Sequence, residues 1–219
     1  MFFILCCFFS YLWYNQIMKK NHMSIFSFTL LFGYGVIIAL NMALDFSVQM
    51  FLNLMLCLSV ILLPAALFMF LGRLLPKSFF DADKKWFKVT KFQTYICKIF
   101  NVKSWKEKIP VGGHVAGFRL NKISSPRDIN FLNRYLRESC FSDWLHSTLF
   151  FWSFFALLLL PNNLLFKMSL PIAFLFAYAN IVPAMIQWYM RPRVLKLRNS
   201  IAARICQQLE TDEEKHQEV

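Results

Sequence analysis

Apolar residues gather in four blocks, at residues 24–44, 46–71, 148–160 and 168–189, and polar residues collect between the second and third and after the fourth. An α-helix rises about 1.5 Å per residue, so about 20 apolar residues cross a hydrocarbon core of roughly 30 Å. Three of the blocks reach that length directly. The third does so once residues 145–147 are added at its start and it runs on to Pro161. The pattern predicts an all-α integral membrane protein with four transmembrane helices in two hairpins and a cytoplasmic amphipathic helical segment between them. The hairpins are expected at residues 24–71 and 146–190, the basic segment at 72–145, and a basic helix with a disordered polar tail at 191–219.

Basic residues set the orientation, because Lys and Arg near membrane spans stay on the cytoplasmic side. Lys19 and Lys20 precede the first block, Lys84, Lys85, Lys88, Lys91, Lys98, Lys103 and others follow the second, and Arg191, Arg193, Lys196 and Arg198 follow the fourth. The turns inside the hairpins hold little beyond Asp45 and Lys167. Four spans with both termini in the cytoplasm satisfy this distribution. Residues 1–14 are apolar but too short to span, and no basic leader or small-residue cleavage site accompanies them. The first 23 residues read either as an interfacial segment or as a mis-assigned start, with translation beginning at Met18.

Composition narrows the class further. An apolar share of 58% exceeds that of ordinary soluble domains. The net charge of +12 would suit nucleic acid, but the cations flank the apolar blocks and no nucleic-acid module is visible, so anionic lipid headgroups are the expected partner. Six scattered cysteines without a C-x-x-C predict neither a disulfide framework nor a zinc site. The four histidines, at His22, His114, His146 and His216, show no ligand spacing, so no metal is expected.

Within the basic segment, Pro110-Val-Gly-Gly-His marks a turn. Before it, Trp86, Phe87, Phe92, Tyr95, Ile96, Ile99 and Phe100 recur among lysines at helical spacing, which predicts an amphipathic helix lying in the headgroup region. After it, Ser125 with Asp128 and Pro126 predicts a helix start that continues unbroken into the third span.

Candidate chemistry lies near the expected cytoplasmic boundary. Tyr135, Ser139, Asp143 and His146 share one helix face, and a carboxylate one turn from an imidazole can orient the ring as a general base toward a hydroxyl. The same two residues can also be merely solvated interfacial groups. Asn180 and Gln187, seven apart in the fourth block, are expected to face the bundle. Pro192 is expected to stop that helix and present Arg191 and Arg193 on extended backbone. Ser139 and Cys140 are possible nucleophiles, although no nucleophile-elbow motif supports them.

Three motifs carry a family resemblance: Trp105-Lys106-x-Lys108-x-Pro110, Asp143-x-x-His146, and Asn180-x-x-Pro183-x-x-x-Gln187-x-Tyr189-x-Arg191-Pro192-Arg193. In order and spacing they resemble the glycosyl-4,4'-diaponeurosporenoate acyltransferases, small bacterial membrane proteins of carotenoid biosynthesis. The likeness covers residues 79–198, and the last motif is the most specific. It implies transfer of a fatty acyl group, from an acyl-CoA or acyl carrier protein, to a sugar hydroxyl of a glycosylated carotenoid or related glycolipid in the cell membrane, with no bound cofactor. His146 and Asp143 would be catalytic, and Trp105, Lys106, Lys108, Asn180, Gln187, Tyr189, Arg191 and Arg193 would bind substrate. The chain departs from the family pattern at Asp143, where the family has Glu, at Ser147, where it has Trp, at Trp188, where it has Arg, and at Met190, where it has Asn. Thr90 stands near the place of an expected acidic residue. The rival reading is a non-catalytic membrane scaffold or anionic-lipid-binding protein.

Overall fold

The computed structural model describes residues 25–44, 47–109 and 118–217, and the described residues are helical with no strand. The N-terminal segment with Lys19 and Lys20 and the turn at Pro110 lie outside them. Helix α1 covers Ile25–Leu44 and α2 covers Val48–Leu74, capped by the Ser47 hydroxyl, which accepts from the Met50 N–H. Two short 3-10 turns, Lys77–Phe80 and Lys85–Phe87, lead into α3, Lys91–Ile99, and α4, Val102–Trp105. Helix α5 spans Ile129–Phe155 and α6 spans Leu170–Gln217. A 3-10 turn at Ala156–Leu159, Pro161, a second at Asn162–Leu164 and a π turn at Leu165–Ser169 reverse the chain between them.

Two of these stretches are long and apolar enough to cross a membrane, Val48–Leu74 and the one from Asn162 to Glu210 that includes most of α6. Only 17% of the apolar window in Val48–Leu74 is buried inside the molecule, and Phe51, Leu52, Leu56, Leu63, Leu67 and Phe70 face outward. Contiguous exposed apolar surface on this scale is what lipid covers and water does not. Helix α1 contributes a shorter apolar run at Thr29–Asn41, and the apolar half of α5 begins only after Asp143.

Sequence expectations and structure differ at three helix ends. Helix α5 starts at Ile129 rather than near Ser125, because the Asp128 carboxylate accepts from the N–H groups of Asn130 and Phe131 and so caps the orphan donors itself. It then continues without interruption toward the third apolar block, as its pattern predicted. The aromatic basic stretch is not one helix: Thr90 forms a reciprocal capping box with Gln93 to open α3, and Asn101 at φ 44° ends it. Pro192 does not stop the last helix. Proline removes one backbone donor at a cost of about 3 kcal/mol. The packing of Val194, Leu195, Leu197 and Ile201 into the same apolar cluster as Trp105 and Ile96 offsets that loss and carries α6 on. With 48 residues α6 is about 72 Å long, beyond any bilayer, and its backbone stays helical through the tail expected to be disordered, as far as Gln217.

Two apolar clusters hold the bundle. One joins Leu54, Cys57 and Ile61 of α2 to Leu149 of α5 and Ile172 and Phe176 of α6. Pro64 has no N–H to give the Val60 carbonyl, and the indole of Trp152 on α5 donates to that carbonyl at 3.1 Å instead. The other cluster gathers Phe80, Phe87 and Cys97 from the basic segment against Leu136 and Cys140 of α5 and Met185, Ile186 and Met190 of α6. At its edge the Arg73 guanidinium pairs with both oxygens of Glu138, at 3.2 and 3.0 Å, and lies 3.9 Å from the centre of the Phe141 ring. Gly72 lets α2 come this close, since a Cβ there would sit 2.6 Å from Trp144 and 2.8 Å from Phe141. Gly72→Val should therefore lower stability by about 1–3 kcal/mol in thermal unfolding of the purified protein, as overpacking does. Gly35→Ala, with nothing within 4 Å, should not.

Candidate functional site

The polar side chains of α5 and α6 that the sequence marks as unusual face one another along a single seam. On α6, Asn180, Gln187 and Arg191 are separated by seven and four residues, and all three are buried. On α5, Ser139 and Asp143 are buried and His146 is half-buried on the same stripe.

Arg191 makes the densest set of bonds. Its Nη2 donates to Asp143 Oδ2 at 2.8 Å and to the Ser139 carbonyl at 3.2 Å, its Nη1 donates to the Phe87 carbonyl at 2.8 Å, and its Nε donates to Ser139 Oγ at 3.4 Å. The guanidinium also lies 5.7 Å from the centre of the Phe87 ring. Its side chain is 3% exposed and that of Asp143 is 11% exposed. The sequence pattern predicts Arg191 on extended backbone toward headgroups or an anionic ligand, whereas here it sits in mid-helix and is saturated by protein acceptors. Burial of a guanidinium without such partners would be prohibitive, which is the physical reason for the difference.

The second oxygen of Asp143 accepts from Trp188 Nε1 at 2.8 Å and from Ser147 Oγ at 3.2 Å. Asp143 therefore does not orient His146, as its spacing suggested. Residues 143, 147 and 188, singled out by the resemblance, meet at this one carboxylate. The Ser147 contact was legible as an i, i+4 pair, whereas Trp188 reaches across from the other helix and gave no local signal.

The partner of His146 is Asn180, whose Oδ1 lies 3.0 Å from Nδ1. Asn180 Nδ2 donates to the Phe176 carbonyl at 2.8 Å. A carbonyl can only accept, so the amide nitrogen must face it and the amide oxygen must face the ring. In the neutral ring Nδ1 consequently carries the proton and Nε2 keeps its lone pair. This is the tautomer a base needs. Gln187 is fully buried, and neither its Nε2 nor its Oε1 has a hydrogen-bond partner among the described residues. Such a group costs about 1–3 kcal/mol per unmet atom.

Tyr189 and Arg193 are brought together on the outer face, where the Arg193 guanidinium lies 3.5 Å from the Tyr189 ring centre and Nη1 donates to the Tyr189 carbonyl. The Trp105, Lys106 and Lys108 segment stands apart. Trp105 Nε1 donates to the Phe100 carbonyl at 2.8 Å, and Lys106 Nζ donates to Glu107 and to the Asn121 carbonyl, both at 3.0 Å. Lys106 holds the Glu107 carboxyl below the usual carboxylate range. Buried Asn121, which the sequence did not single out, returns bonds from Nδ2 to the carbonyls of Lys106 and Ile109. Lys108 is exposed, and no hydrogen bond or ion pair joins these three residues to His146 or Arg191 among the described residues. Thr90, near the missing acidic position, is occupied as the cap of α3.

The possible nucleophiles fare poorly. Burial pushes the Cys140 thiol up to about 12 despite the nearby Arg191, and Ser139 Oγ already accepts from Arg191. Breaking the buried pair by Asp143→Ala should cost about 3–5 kcal/mol. The combined Asp143→Leu and Arg191→Met variant should recover most of that loss, as thermal unfolding of both proteins would show.

No curated protein and no solved structure matches the chain. The family profile for glycosyl-4,4'-diaponeurosporenoate acyltransferase matches residues 83–200, more than half of the chain and nearly the stretch 79–198 over which the resemblance runs. That span holds every residue of the polar seam, and the chain belongs to the glycosyl-4,4'-diaponeurosporenoate acyltransferase family.

Proposed function

We propose that this is a multi-pass membrane acyltransferase that moves a fatty acyl group onto a sugar hydroxyl of a glycosylated carotenoid or related glycolipid, with His146 as general base. The observation that carries this reading is the Asn180 bond, which in the neutral ring puts the proton on Nδ1 and leaves the Nε2 lone pair of half-buried His146 free. Nε2 takes the hydroxyl proton as the sugar oxygen attacks the acyl carbonyl. The C–O ester bond forms, the C–S bond of a thioester donor breaks, and the imidazolium returns the proton to the departing thiolate. General-base assistance of this kind contributes about 10²–10⁴ in rate.

Gln187 lies between Asn180 and Arg191 on α6, and a substrate carbonyl or hydroxyl entering the seam would meet the amide that the protein leaves unpaired. Exposed Arg193 on Tyr189, with Lys106, Lys108 and Trp105 on the same cytoplasmic side, would attract an anionic carrier such as an acyl-CoA or acyl carrier protein. The membrane frame is four spans in the bacterial cell membrane, α1, α2, the end of α5 and the start of α6, with both termini cytoplasmic. The outward apolar faces and the basic flanks support it.

Lipid and pigment mass spectrometry of a host making glycosylated carotenoid, with and without this protein, tests the activity. A new species heavier by one fatty acyl group is expected. No change in carotenoid or total glycolipid would favour the non-catalytic scaffold. His146→Ala should reduce that product at least a hundredfold with membrane insertion intact, and equal product would remove His146 from the mechanism. Gln187→Leu separates function from packing: removing the unpaired amide should raise thermal stability while product formation falls.

A further inference from the structure

Residues 84–103 contain six lysines and no acidic residue. Folding divides the aromatics of this segment into two sets. Phe87 and Cys97 are buried in the core cluster, and Ile96 packs against it. Phe92, Tyr95 and Ile99, at helical spacings of three and four, point the other way and are 59–70% exposed, and Trp86 and Phe100 beside them are equally bare. Lys88, Lys91 and Lys98 are exposed around this stripe. A stripe of three large apolar side chains ringed by ammonium groups fits neither water nor an apolar protein partner.

Its depth identifies the occupant. The Arg73–Glu138 pair at the end of α2 and the Ser139–Arg191 bonds put those four residues at one level, where the apolar run of α2 stops. Helix α3 is tied below that level, since Cys97 Sγ donates to the Met185 carbonyl at 3.5 Å. Met185 stands six residues before Arg191 on α6, about 9 Å toward the apolar end. Interfacial helices bury their apolar faces about 5–10 Å into the boundary between headgroups and acyl chains.

We infer that the Phe92, Tyr95 and Ile99 face of α3 docks into the cytoplasmic leaflet and that the surrounding lysines select anionic headgroups there. The inference rests on the membrane reading above but not on the acyl-transfer chemistry. The apolar stems of the lysines lie along the acyl boundary while their ammonium groups reach phosphates.

The test uses the full chain with Cys6, Cys7 and Cys206 changed to Ser and a nitroxide on Tyr95→Cys, the remaining cysteines being buried. The protein is reconstituted in phosphatidylcholine vesicles with and without phosphatidylglycerol. Access of oxygen, which prefers the apolar phase, is compared with that of a water-soluble nickel chelate. The expected result is a severalfold drop in nickel access when phosphatidylglycerol is present, reversed by Lys88→Gln, Lys91→Gln and Lys98→Gln together. Undiminished nickel access in both vesicles overturns the docking. Equal protection in both overturns the anionic selection, and protection already present in detergent, rising with protein concentration, assigns the face to a second copy and overturns the proposal. Carbonate extraction of the same vesicles separates the premises: loss of the chain refutes the membrane reading, whereas retention with a nickel-accessible label refutes this inference alone.

Discussion

A guanidinium buried between packed helices must find acceptors for its N–H groups, and Arg191 finds them on two separate pieces of the chain. Ser139 offers both its carbonyl and its hydroxyl, Asp143 offers charge, and the Phe87 carbonyl closes the set from the segment that follows α2. Losing any of these would expose a buried charge to an apolar environment, a penalty of several kcal/mol. The rotation of α5 against α6 is therefore pinned at this point. So is the placement of the 3-10 turn at Lys85–Phe87, which brings α3 with it.

Everything along the seam inherits that registration. With Asp143 engaged by Arg191, Trp188 and Ser147, the imidazole three residues further along α5 is left to Asn180. The two polar groups divide the work: one holds the helices together, and the other sets a tautomer. The carboxylate and the imidazole sit side by side with separate partners, Arg191, Trp188 and Ser147 for the first and Asn180 for the second. Gln187, between Asn180 and Arg191 on α6, keeps an amide without a partner among the described residues in a site that is otherwise well paired, and buried polar groups of this kind are rare in folded proteins.

The same molecule shows how a chain rich in apolar residues handles its backbone. Pro64 frees the Val60 carbonyl and Trp152 claims it, while Asn41 donates to the Ile37 carbonyl and to that of Lys167, tying α1 to the π turn before α6. In a hydrocarbon setting each such group would otherwise go unmet. Interior packing thus carries polar satisfaction as well as apolar contact, and the outer faces of α2 and α3 are left for the surroundings to cover.

Sequence by itself determined the helical class, the placement of the long apolar stretches, the run of α5 into the third block and the inward facing of Asn180 and Gln187. These follow from periodicity and composition, which act locally and are written into consecutive residues. It also marked the family, since the motif residues lie on one stretch of chain. Tertiary structure alone decided that Pro192 lies within a continuous helix, that Arg191 is buried rather than offered to a ligand, that Asp143 serves Arg191, and that Asn180 serves His146. Each of those outcomes turns on a partner between 34 and 104 residues away in the chain. Spacing along one helix can place a side chain on a face, but only the packing of a second helix against that face determines which acceptor is within 3 Å of it.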